Sequence, residues 1–214
     1  MTLIKEFCAE NFTHVPKAIE RGADRIELCD NLAVGGTTVS SGVMAHTVRF
    51  CHARNIPVMV MIRPRGGNFV FTRNERCIMR ADIDQASRFG ADGVVFGCLT
   101  DQNQLDVGAT ADLIDAAFDL EITFHMAFDQ LSHEDQFVAI DWLAARGVKR
   151  ILTHGGPMDQ PITHHVNHLR KLIHHAAGRL IILPGGGITT VNAAFVAQQL
   201  SVQEVHGTKI VPLP

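Results

Sequence analysis

The chain has 214 residues, of which 46% are hydrophobic and 19% charged, with a formal net charge of −3. That balance supplies a packed core and excludes disorder, collagen and coiled coil, and the scattered basic residues exclude the electrostatic footprint of a nucleic-acid binder. No apolar run approaches the ~20 residues of a membrane span, and five cysteines behind no visible secretory leader read as free thiols, ligands or core residues of a cytoplasmic protein.

In chain order, β-rich runs alternate with amphipathic stretches from end to end. Strands are expected at 4–8, 25–29, 58–62, 93–98, 122–125, 150–153, 180–183 and 203–206, and helices near 13–22, 41–54, 72–90, 109–119, 134–147, 162–177 and 189–200. Gly22, Gly90 and Gly147 follow three of the helices, where a left-handed C′ residue ends the turn. Strand then helix, repeated, means a parallel sheet, and units of about 27 residues suit an economical (β/α)8 barrel.

The rival is a doubly wound open sheet, whose strands should be purely apolar because both faces lie under helices. Arg25-Ile26-Glu27-Leu28-Cys29 instead alternates polar with aliphatic, as a barrel wall does between its axis and its helix ring. With no linker or composition shift, residues 1–214 form a single barrel domain. Too little chain follows Gly207 for an eighth outer helix. The outward Phe7 and Val205 are therefore expected to be covered by a second copy in a homodimer, or by the tail 208–214 folding back.

Barrel sites gather at the C-terminal strand ends. Glu6-Phe7-Cys8 and Glu27-Leu28-Cys29 repeat one pattern on neighbouring strands, and period-two alternation points both pairs inward. Cys8 and Cys29 are candidate metal ligands, since paired soft thiolates select Cu(I), although buried structural cysteines or a disulfide would share this spacing. Arg63-Pro64-Arg65-Gly66-Gly67 suits bidentate capture of an anion, or ion pairing with Glu6 and Glu27. Gly185, Gly186, Gly187 and Gly207, in the loops after the last two strands, are candidate anion-binding residues with Arg63 and Arg65. His125 should face inward as an acid, base or ligand, with Asp129 beyond it. His164 and His168 are i,i+4 neighbours, better explained as part of a solvated helix face than as a metal site. Cys51 and Cys77 read as inert and Cys98 as a bystander thiol.

Several longer segments carry a resemblance: Gly22-Ala23-Asp24-Arg25-Ile26-Glu27-Leu28-Cys29, Gly35-Gly36-Thr37-Thr38, Ile62-Arg63-Pro64-Arg65-Gly66-Gly67, Thr123-Phe124-His125, Ala127-Phe128-Asp129 and Pro184-Gly185-Gly186-Gly187. From Glu6 to His206 the chain resembles the copper homeostasis CutC family. The resemblance implies a (β/α)8 barrel, a cytoplasmic Cu(I)-binding role, and Cys8 and Cys29 as the copper cysteines. The chain departs from the family pattern at Met126, where arginine is usual, and in Ala9-Glu10-Asn11 after the first cysteine. Two thiols need no surrounding ring of charges. The alternative is therefore an enzyme acting on a small anionic, phosphorylated or carboxylated metabolite, with Glu6, Glu27, Arg63, His125 and Asp129 as its catalytic groups.

Overall fold

Period-two alternation along short strands decides the architecture. In the computed structural model, which describes residues 3–213, the strands are β1 (Ile4–Glu10), β2 (Arg25–Cys29), β3 (Val58–Met61), β4 (Gly93–Phe96), β5 (Glu121–Phe124), β6 (Arg150–Thr153), β7 (Ile181–Pro184) and β8 (Glu204–Gly207). Between them run α1 (Val15–Glu20), α2 (Ser41–His52), α3 (Arg73–Arg88), α4 (Val107–Ala116), α5 (His133–Ala145), α6 (Val166–Ala176) and α7 (Ala193–Leu200). All pairings are parallel in the order β7-β6-β5-β4-β3-β2-β1-β8, so the ring is nearly closed, with its seam between β7 and β8. This is a TIM-type barrel.

The alternation sorts side chains into two cores. Phe7, Ile26, Leu28, Val58 and Val60 face out and pack with the helices, whereas Cys8, Cys29, Met59, Met61 and Val95 form a separate cluster. The floor of the barrel is ionic. Arg25 pairs with Glu6 and donates to Glu204 at 2.7 Å, and Arg150 donates to Glu204 at 2.8 Å and to Glu121 at 2.5 Å. Glu204 on β8 is thus tied to Arg150 on β6, a bond that spans the unpaired seam. Buried charges cost several kcal/mol each to desolvate, so they persist only when paired in this way.

Helix ends follow their side chains. Ser40, Thr72, Asp106 and Ser132 cap α2, α3, α4 and α5, and Thr72 with Glu75 forms a reciprocal capping box. Gly22, Gly90 and Gly147 adopt φ of +90°, +78° and +77°, the left-handed geometry expected of helix stops. The helix expected from 189 begins only at Ala193. Asn192 accepts a hydrogen bond from the Thr189 N–H and donates to the Gly187 carbonyl, which holds residues 189–192 in a turn. The first turn of the 162–177 stretch is a 3-10 helix, and its Ile162 and His165 are buried, so only part of that histidine-rich segment is a solvated face.

Phe7 and Val205 are both buried within one chain, and Ile210 and Val211 after β8 join the same outer core. Neither Phe7 nor Val205 is therefore the exposed apolar surface on which the expected homodimer rested.

Candidate functional site

The register of β1 and β2 places Cys8 beside Glu27, and Cys29 beside Glu10. The cysteines are therefore diagonal neighbours. Two residues along and one strand across separate their Cα atoms by about 8 Å, beyond the ~7 Å limit for a disulfide without backbone movement. Their Sγ atoms nevertheless approach to 4.0 Å, because both side chains lean into the barrel. A spacing that disfavours a disulfide while the sulfurs lie 4.0 Å apart suits a ligand placed between them.

Around the sulfurs stands a chain of ionisable groups. His206 on β8 donates from Nδ1 to Glu6 Oε1 at 2.8 Å, and the other Glu6 oxygen takes Arg25. The second His206 nitrogen lies 3.6 Å from Glu27 Oε2, and Cys29 Sγ lies 3.6 Å from the same oxygen. Within this cluster, Cys8, Glu27 and Cys29 form one group whose ligand atoms lie within 4.8 Å of one another, and Glu6, Glu27 and His206 form a second.

Burial alone would raise the Glu6 carboxyl, but Arg25 and His206 hold it down at about 2. Burial would lower His206, yet Glu27, Cys8 and Glu6 around it raise it well above its usual range. The Cys29 thiol, hydrogen-bonded to Cys8, with His206 beyond, brings Cys8 down to about 5. The same bond raises Cys29 well above an ordinary thiol, with burial adding to it. Burial and the Cys8 charge push Glu27 up in the same way. These directions favour the charged forms of Glu6, His206 and Cys8 and the neutral forms of Cys29 and Glu27.

Thiolate absorbance should therefore show one step near pH 5, well separated from Cys51 and Cys98, which burial pushes up to about 12. His206→Gln should move that step upward, toward the ordinary thiol range near ~8.5. An unmoved step would mean that His206 does not stabilise the thiolate.

A pocket of about 270 Å³ opens onto this cluster, and its lining includes Phe69, His125, Met126, Met158 and the backbone of Gly186 and Gly187. The sequence profile of the CutC family matches residues 3–211. A CutC family protein of Enterococcus faecalis is 58% identical over 209 residues, covering 98% of this chain and all of the relative. This chain belongs to the CutC family. The crystal structure of CutC from Streptococcus agalactiae superposes with a TM-score of 0.95 at 43% identity, covering 98% of this chain and all of that one. A human relative, named copper homeostasis protein cutC homolog, is 38% identical over 203 residues, which is 95% of this chain and 72% of its own length.

Within this CutC barrel the sequence-derived candidates divide. Cys8, Cys29, Glu27, His125, Gly186, Gly187 and Gly207 line the pocket, and Glu6 lies behind His206. His125 accepts the Ala127 N–H on Nδ1, which leaves the proton on Nε2, a buried atom with no partner among the described residues. Burial and Arg63 lower His125 to about 3, so the ring is neutral.

Arg63 and Arg65 are not on the pocket wall. Arg63 donates to the carbonyls of Val34, Gly36 and Gly67, and Arg65 pairs with Glu75 and donates to Gly66, Asn68 and Val70. These guanidinium groups clasp the loops after β2 and β3, and Arg25 takes the role of partner to Glu6. Asp129 accepts from Thr153 Oγ1 and from the His154 and Gly155 N–H groups, which fastens the loop after β6. Gly185 is also tied down, donating to the Thr153 carbonyl and accepting from His154. His168 bonds Gln136 at 2.6 Å and stacks on His133.

Sequence reasoning assigned no role to His206 and missed Arg25, Arg150 and Glu204 as supporting ion pairs. The signal was present. Glu204-Val205-His206 repeats the spacing of Glu6-Phe7-Cys8, and Arg25 precedes Glu27 by two.

Proposed function

We propose that this protein binds Cu(I) as cargo through the Cys8 and Cys29 sulfurs. The observation that carries the reading is the sulfur pair. It is buried, held 4.0 Å apart, and reached through a pocket. Two metal–sulfur bonds of about 2.3 Å reach across at most ~4.6 Å, so this separation accommodates an ion without moving either strand. The surroundings of Cys8 bring its thiol down to about 5, which favours the thiolate, and soft thiolates bind Cu(I) well, as they do zinc. The human relative's name, copper homeostasis protein, agrees with this chemistry. His206 supports it by supplying a positive charge that keeps Cys8 deprotonated, while Arg25 and Glu6 fix the imidazole from behind. The site requires reduced thiols, which matches the reducing cytoplasm.

Reduced protein titrated against a chromophoric Cu(I) chelator should withdraw about one equivalent, as one dithiol pair implies. If the chelator keeps its copper throughout, the protein has no competent copper site.

A second reading draws on two buried polar atoms of pocket-lining residues that lack partners among the described residues, His125 Nε2 and Glu27 Oε1. An unpaired buried polar group costs about 1–3 kcal/mol, and a small polar ligand in the pocket would recover it. On this reading the protein is an enzyme for a carboxylated or phosphorylated metabolite, with His125 as a hydrogen-bond donor. Such metabolites should raise the melting temperature by ligand linkage, and His125→Phe should remove the rise. A broad screen that shifts nothing would leave copper as the sole reading.

A further inference from the structure

Three methionines line the same pocket as the thiols with graded exposure: Met158 is 59% exposed, Met126 is half-buried, and Met61 is 4% exposed beside Cys29. Core packing does not account for an exposed methionine at the mouth. Two glycines make room for the sulfur-bearing side chains. A Cβ added at Gly186 would lie 2.8 Å from the Met158 sulfur, and one at Gly36 would lie 3.3 Å from the Cys29 sulfur and 3.6 Å from the Met61 methyl. A thioether is an uncharged soft donor that prefers Cu(I)-like ions. Conduction through successive sites requires each to bind well enough to admit an ion and weakly enough to release it. Neutral thioethers leading to a thiolate meet that requirement.

We propose that Met158, Met126 and Met61 form a thioether path by which a soft monovalent cation reaches Cys8 and Cys29. This path rests on the reading of those thiols as the copper site. Ag(I), which has the charge and softness of Cu(I) without its oxidation, is the probe. In full-length protein carrying Cys8→Ser and Cys29→Ser together, Ag(I) should shift the isotope-labelled methyl resonances of Met158, Met126 and Met61. Those of Met44 and Met79, buried in the outer core, should stay in place. With both cysteines intact, Met126→Leu/Met158→Leu protein should load Ag(I) about tenfold more slowly than the native protein, a change within the range seen for association rates. Met44→Leu should load at the native rate. Unmoved methyl resonances, or native loading in the Met126→Leu/Met158→Leu protein with an unaltered melting curve, would overturn the path and return these residues to apolar lining. Shifted methyl resonances in a native protein whose cysteines hold no Ag(I) would support the thioether sites while refuting the thiol site.

Discussion

Cys8→Ser and Cys29→Ser should each lower Cu(I) affinity by more than about a hundredfold, because losing a ligand costs more than the roughly 10–100-fold that follows loss of a supporting outer group. A hydroxyl is a hard donor and cannot replace a thiolate for this ion. Cys51→Ser is the control, since Cys51 is buried among outer-core residues on α2, in a different cluster from Cys8 and Cys29. Chelator competition reads the affinities, and thermal melting checks that each variant is folded. Retained affinity in the Cys8→Ser/Cys29→Ser protein would place any copper elsewhere.

Arg25→Met should be among the most destabilising single changes in the barrel. Arg25 is the shared partner of Glu6 and Glu204, both buried, and its removal leaves Glu6 with His206 alone and Glu204 with Arg150 alone. Breaking a buried pair in this way costs about 3–5 kcal/mol, measurable by urea denaturation. The loss has a pH signature. Glu6 is held at about 2 in the folded state against an ordinary 4.5, so its contribution is fully present above pH 4.5 and is lost as pH falls toward 2. Native protein should therefore lose stability across that window. The Arg25→Met protein, whose Glu6 has lost its strongest support, should change less across it. Equal slopes would show that Arg25 does not set the Glu6 charge.

The barrel was legible because its pattern is local. Alternating polar and aliphatic residues in 25–29, with glycines closing helices at 22, 90 and 147, fixed element type and face without any knowledge of contacts. The thiol pair was legible for the same reason, since two copies of Glu-x-Cys on adjacent strands must converge inside a closed sheet. Partner choice was not legible. Arg63 and Arg65 sit at a strand end with glycines beside them, which signals an anion clamp, yet loop carbonyls and Glu75 take their donors. His206 and Glu204 lie some two hundred residues from Glu6 and Arg25, and only ring closure through β1 and β8 brings them together.

X-ray absorption at the copper edge of the Cu(I)-loaded protein reads the ligands themselves. Two sulfur neighbours should appear close to the ~2.3 Å of metal–thiolate bonds, and at least one should vanish in Cys29→Ser protein reloaded with copper. A first shell of nitrogen and oxygen only, or an unchanged sulfur count in that variant, would contradict copper binding at Cys8 and Cys29.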